Sequence, residues 1–151
     1  TQAFGELGYR VALGSVAFEP FANLAYVSLD TDGFTEKGGV AAMSGASGST
    51  DATFTTLGLR ASTMFDLNGT SLTAKGMLGW RHAFGDVVPE AMMQFGGGST
   101  FTIAGVPIAR DAAVVEVGLD YAISPSAGFG VSYSGQFGDD LADQSLRANF
   151  N

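Results

Sequence analysis

Apolar and polar side chains alternate along most of this chain. Between Thr53 and Phe65, Leu57, Leu59, Ala61 and Phe65 share one parity, and Thr56, Gly58, Arg60 and Ser62 share the other. Leu72, Ala74, Leu78, Trp80 and Phe84 are set in the same way against Thr73, Lys75, Gly79 and Arg81. Ala113, Val115, Val117, Leu119, Tyr121 and Ile123 oppose Glu116, Gly118 and Asp120, and Phe129, Val131, Tyr133 and Phe137 oppose Gly128, Gly130, Ser132, Ser134 and Gln136. The opening segment places Leu7, Tyr9, Val11 and Leu13 against Glu6, Gly8 and Arg10. The closing one places Leu146, Ala148 and Phe150 against Ser145, Arg147 and Asn149. Period two over such stretches predicts β-strands with one apolar and one polar face. Phe18 to Leu29 adds a seventh, noisier strand, with Pro20 near its start, where a ladder donor can be spared.

These strands run to about 11–13 residues, beyond the five or six typical of soluble sheets and enough for a tilted crossing of a bilayer. Gly14-Ser15, Asp66 to Thr70 and Ser124 to Ser126 read as short turns, whereas Asp30 to Thr50 and Gly85 to Arg110 read as long loops. The link from Asp139 to Asp143 is short but falls at the long-loop end. Short turns at one end and long loops at the other predict an all-β, antiparallel, up-and-down transmembrane barrel.

Charge placement agrees. Arg10, Arg60, Lys75, Arg81 and Arg147, with Glu6, Glu116 and Asp120, fall on the polar faces and are the candidate pore-lining residues. On the apolar faces the one ionisable group in these strands is His82, near the loop end. Phe65, Tyr121 and Phe129 lie near the short turns, and Trp80, Phe84 and Phe137 near the long loops, as two interfacial aromatic girdles would require. A soluble β-sandwich also alternates, but its outer face would carry many Lys and Glu. Here that face carries Gly, Ser, Thr and few charges, which favours a confined lumen.

Composition narrows the field further. Of 151 residues, 15% are charged, 22 are glycine and none is cysteine, and the formal net charge is −8. The absence of cysteine removes disulfides, zinc–thiolate sites and cysteine nucleophiles. The acidity argues against nucleic acid as a partner. No apolar run approaches the roughly 20 residues of a membrane-spanning helix, and Thr1-Gln2-Ala3-Phe4 does not read as a signal peptide.

Several blocks resemble the C-terminal translocator domain of classical (type V) autotransporters. They are Pro20 to Tyr26, Asp32 to Glu36, Thr56 to Ala61, Leu78 to His82, Phe101 to Asp111, Val117 to Tyr121 and Tyr133 to Gly138, in the family's order. The resemblance implies a 12-stranded barrel in a Gram-negative outer membrane that anchors and secretes its own N-terminal passenger. Residues 1–151 would then be one incomplete domain holding the sixth to twelfth strands. It further implies as partners outer-membrane lipid and lipopolysaccharide, the passenger with its pore helix, and the barrel assembly machinery. The family's first strands and pore helix are missing from the sequence, and its usual terminal aromatic is replaced by Phe150-Asn151, so the reading is of a fragment. A passive porin-like or structural barrel, and an outer-membrane lipase using His82, are the alternatives.

Candidate chemistry is sparse. His82 has no nucleophile with a defining motif beside it and reads as an interfacial residue. Gly96 to Gly98 and Gly45 to Gly48 lack the strand, helix and lysine of a phosphate loop and read as flexible loop. Asp30, Asp32 and Glu36 do not have EF-hand spacing, though acidic loops could hold cations that bridge lipopolysaccharide. No catalytic residue, metal site or cofactor is expected. The lumen residues form the constellation of interest, a polar lining past which an extended chain could slide.

Overall fold

The structure, a computed structural model, describes residues 1–124, 127–139 and 141–150. Its elements are β1 (Gln2–Gly8), β2 (Val11–Leu13), β3 (Val16–Thr31), β4 (Phe34–Thr35), β5 (Met43–Gly45), β6 (Gly48–Leu67), β7 (Thr70–Gly85), β8 (Glu90–Phe95), β9 (Thr100–Ala104), β10 (Asp111–Ser124), β11 (Ala127–Gly138) and β12 (Leu141–Phe150). The long strands form one antiparallel sheet in the order β1-β3-β6-β7-β10-β11-β12, with β2 also on β3. β1 and β2 continue each other, since Gly8 pairs with Phe21 and Val11 with Phe18 without a change of register. Tyr9 donates its N–H to the Pro20 carbonyl at 3.1 Å. Proline has no N–H to return, and the ladder breaks there. Counting β1 and β2 as one, the alternation gives the observed seven long strands.

Turn chemistry explains the connections. Leu67 pairs with Thr70 around Asn68-Gly69, and both turn residues have positive φ, 55° and 88°. This is the type I′ geometry that matches strand twist, and Asn-Gly is its preferred sequence. The turn is thus tighter than the Asp66 to Thr70 span expected. Leu13 pairs with Val16 around Gly14-Ser15, with Gly14 at φ 62°. The third short turn includes residues 125 and 126, which lie outside the described residues.

The strands reach further toward the loops than the pattern suggests. β6 begins at Gly48 and β10 at Asp111, because backbone pairing continues where side-chain alternation has faded. The two long loops are also not irregular throughout. They carry β4, β5, β8 and β9, which make a second antiparallel sheet in that order. Met43 of one loop pairs with Phe95 of the other, and Gly45 with Met93. Gly96-Gly97-Gly98 lies in the β8–β9 turn, with the Gly98 N–H bonded to the Phe95 carbonyl and Gly97 at φ 78°.

No apolar core of the soluble kind exists among the described residues. The buried hydrophobic residues are Phe21, Ala52, Ala83 and Ala112, all on the face that carries Arg60 and Lys75. On the opposite face Leu57, Leu78 and Val117 are 48%, 63% and 53% exposed. The sheet curls around its polar face and lines a cavity of about 870 Å³. A sandwich would hide the leucines, whereas this sheet leaves them exposed and gathers its charges around the concave cavity.

One close approach fixes the β3–β6 contact. Phe21 and Gly58 are cross-strand partners, and a Cβ built on Gly58 would lie 2.6 Å from the Phe21 ring and 2.9 Å from the Leu78 carbonyl. The missing side chain is the seat of the ring. Gly58→Ala should therefore destabilise the fold by about 1–3 kcal/mol through overpacking. Gly5→Ala, with nothing within 4 Å of its Cβ, should shift the denaturation midpoint little. Denaturant unfolding of both variants of the intact protein checks the contrast; equal effects would count against the seat.

Candidate functional site

The concave wall is built by the even-numbered residues of β6, β10 and β11 and the odd-numbered residues of β3 and β7, since register places these on one face. Arg60 is its most engaged residue. Its Nη1 and Nη2 donate to the two carboxylate oxygens of Glu6 at 2.7 and 2.9 Å, a bidentate fork, and Nη1 also donates to Glu19 Oε1 at 2.9 Å. The guanidinium carbon lies 3.8 Å from the centre of the Phe21 ring, so a cation–π contact adds to the ion pairs. Gly58 admits the ring, the ring supports Arg60, and Arg60 ties β1 and β3 to β6. Both side chains of the Arg60–Glu6 pair are more than a third exposed, so the fork contributes more to geometry than to stability.

Two further residues brace the wall. Lys75 Nζ lies 2.6 Å from Asp120 Oδ2, a diagonal contact, because Lys75 pairs directly with Gly118. Arg81 donates from Nε to Thr56 Oγ1 at 3.3 Å and from Nη1 to Gln136 Oε1 at 3.0 Å. It spans from β6 to β11 using neutral acceptors, which leaves its charge without a carboxylate partner among the described residues. Arg10, Glu116 and Arg147 line the same cavity as Arg60, Lys75 and Asp120. No ion pair within 4 Å holds these three among the described residues. The structure thus gathers the sequence-derived set of Glu6, Arg10, Arg60, Lys75, Arg81, Glu116, Asp120 and Arg147 on one face.

Glu19 and Phe21 belong to this wall and were not legible beforehand. Their strand reads as noisy because an aromatic residue occupies the polar face; in register, Ala17, Glu19, Phe21, Asn23 and Ala25 share that face. The noise itself was the signal.

On the convex face the aromatic residues fall into rows. Phe65 pairs with Leu72, Leu72 with Tyr121, Tyr121 with Phe129 and Phe129 with Phe150, a continuous belt beside the short turns. Toward the loops, Leu57 pairs with Trp80, Trp80 with Ala113 and Ala113 with Phe137, and Phe84 pairs with Thr53. His82 is not the only ionisable group on this face. The strand extensions bring Asp111 directly opposite His82 and Asp51 within 2.9 Å of the Tyr26 hydroxyl, so that expectation is corrected. The added carboxylates all stand at the loop end. Asp111 Oδ1 lies 2.7 Å from His82 Nδ1 and accepts the Trp80 indole N–H at 2.9 Å.

The acidic loop residues do not converge. Glu36 accepts the Met43 N–H at 3.0 Å, Asp30 is part of β3, and no three His, Asp or Glu side chains among the described residues are placed to hold a metal ion.

Comparison with known proteins adds the family. Two curated relatives, each called "Extracellular serine protease" from Serratia marcescens, are 36% identical over 148 residues. The match covers 97% of this chain but 14% of each relative, so the chain spans about a seventh of their length. The family model described as "Autotransporter beta-domain" matches residues 1–134. With seven long antiparallel strands, a polar concave wall and an exposed apolar convex face already in view, the chain belongs to the autotransporter beta-domain family.

Proposed function

We propose that this domain is part of an outer-membrane translocator barrel that anchors an N-terminal passenger in a Gram-negative bacterium and serves its export. The observation that carries the reading is the segregation of the two faces. Leu57, Leu78 and Leu119 point away from the cavity while Arg60, Lys75, Glu116 and Asp120 line it. In hydrocarbon every backbone N–H and C=O must be paired, and antiparallel ladders achieve this with apolar side chains turned outward. The lining suits a passing chain, since charges of both signs, several of them paired to one another, hold water and offer no extended apolar surface for adhesion. The aromatic belts toward the two strand ends support this reading, since interfacial girdles flank the apolar band in such barrels. No catalytic step is assigned to this domain, and the protease name of the relatives belongs to proteins of which it matches a small part. Outer-membrane lipid with lipopolysaccharide, the passenger with its pore helix and the assembly machinery are the partners this role requires.

The direct test follows the passenger. In cells expressing the intact gene, external protease should reach the segment upstream of Thr1, and deleting residues 1–151 should abolish that access. Passenger exposed at the surface without this segment would overturn the role.

Two substitutions test the faces. Leu78→Arg places a cation on the convex face and should cost about 2–4 kcal/mol in vesicles if that position is near mid-membrane. Lys75→Gln, on the wall, should cost much less, because it removes only an exposed pair; the two urea midpoints in lipid vesicles decide. Neutralising Arg60 and Arg81 together, by Arg→Gln at each, should change the conductance of the intact protein in planar bilayers more than its unfolding midpoint. Lost folding with unaltered conductance in the surviving molecules would assign both residues a purely structural role.

A further inference from the structure

Three of the five methionines, Met43, Met92 and Met93, lie in the small sheet that the two long loops build together. Met64 and Met77 belong to the barrel strands β6 and β7. The sheet runs β4-β5-β8-β9, so the first loop is joined to the second through β5 and β8. Their ladder consists of Met43 with Phe95, Ser44 with Gln94 and Gly45 with Met93. Two further bonds flank it, from the Gly96 N–H to the Ala42 carbonyl at 2.8 Å and from the Ala46 N–H to the Met92 carbonyl at 3.0 Å.

Register divides this sheet as sharply as it divides the wall. Phe34, Met43, Met93, Phe95, Phe101 and Ile103 share one face, and Thr35, Ser44, Met92, Gln94, Thr100 and Thr102 share the other. The apolar face packs within itself. Phe95 and Phe101 stack with ring centres 5.5 Å apart, and a Cβ built on Gly45 would lie 2.5 Å from the Phe34 ring. Met43 and Met93 hold diagonal positions on this face, one on each strand of the ladder that joins the loops, and both are partly buried. Met92, next in the chain, is more than half exposed on the polar face.

A thioether is open to attack by a peroxide. The sulfur lone pair takes the terminal peroxide oxygen, the O–O bond breaks, and water leaves. Sulfur loses two electrons and the peroxide gains them, and the side chain acquires a polar oxygen that accepts hydrogen bonds. At Met92 that oxygen stays in water. At Met43 or Met93 it is either held without a partner on an apolar face or it draws the side chain off that face. Both outcomes weaken the junction, the first by burying an unpaired polar group and the second by removing thioether packing beside Phe95 and Phe101. Parity therefore gives two adjacent methionines opposite roles.

We propose that Met43 and Met93 form an oxidation site that controls the junction of the two long loops, closed in the thioether form and opened by a peroxide. That the site faces the cell exterior rests on the membrane reading above; its chemistry does not.

The test treats the intact protein, solubilised in detergent, with dilute hydrogen peroxide and follows sulfoxide content and amide hydrogen exchange by peptide mass spectrometry. As Met43 and Met93 gain oxygen, exchange at the Ala46 and Gly96 amides should quicken roughly tenfold, as local opening of a short ladder permits. Methionine sulfoxide reductases should restore the slow rate. Replacing both residues by Met43→Leu and Met93→Leu conserves volume and apolar character, so the junction should stay closed before and after peroxide. Met92→Leu should leave the response as large as in wild type. Unchanged exchange in wild type oxidised at both Met43 and Met93 would overturn the site, as would a response that persists in the double variant or vanishes in Met92→Leu. Should the double variant open before oxidation, graded peroxide doses on wild type decide: quickening in step with Met43 and Met93 upholds the site, and quickening in step with Met92 alone overturns it. Failure of the protein to enter lipid vesicles would count against the membrane reading and leave this result standing.

Discussion

Each long strand of this sheet is divided between two media, and the rest of the structure follows from that division. Successive side chains of a strand point to opposite faces, so a sheet without a second layer must satisfy both surroundings along every strand. Here the apolar face finds no protein to pack against: Leu57, Leu78 and Val117 stay about half exposed or more. In water such a surface would drive aggregation. Such a convex side calls for an apolar covering, and in the proposed reading lipid supplies it to all of these long strands at once. Register is then strongly enforced, because a slip of one residue would send Arg60 and Lys75 into the apolar medium and Leu59 and Ala74 into the cavity.

Within that frame, the wall is organised by contact between strands more than by any single residue. Phe21 occupies the polar face because Gly58 leaves space for its ring, and the ring supports the guanidinium that joins Glu6 and Glu19. Three neighbouring strands are thus linked through one arginine. Arg81 performs a comparable task on the other side, reaching Thr56 and Gln136 across β7 and β10. These ties lie on the concave face, where water and polar partners are available, and the convex face is left to packing against its surroundings.

The sequence states the strands and their faces almost completely, because period two is a local property that each strand carries in its own residues. Eight of the charged wall residues and both aromatic belts follow from parity alone, and Glu19 is the charged wall residue that does not. What parity does not contain is pairing between segments. The loop strands β4, β5, β8 and β9 are two to six residues long, too short for a period to show, and the pairing of Met43 with Phe95 joins two loops far apart in the chain. Asp111 was lost for a related reason: it begins its strand, next to a loop, with no alternating neighbour upstream to mark its face. Phe21 breaks parity outright, and its justification is a glycine on another strand.

Charge distribution carries the last step. The chain as a whole has 15 acidic and 7 basic residues, yet five of the basic residues, Arg10, Arg60, Lys75, Arg81 and Arg147, stand on the concave side opposite Glu6, Glu19, Glu116 and Asp120. The wall is close to neutral, and the acidic excess belongs to the loops and strand ends. A lining dominated by one sign would hold any oppositely charged stretch of a moving chain and repel the next. Charges of both signs, several already bonded to each other, flatten that potential and keep the cavity wet. The arrangement that makes the concave face a poor trap for a passing polypeptide also spares the strands the self-repulsion that the overall acidity would otherwise impose on the fold.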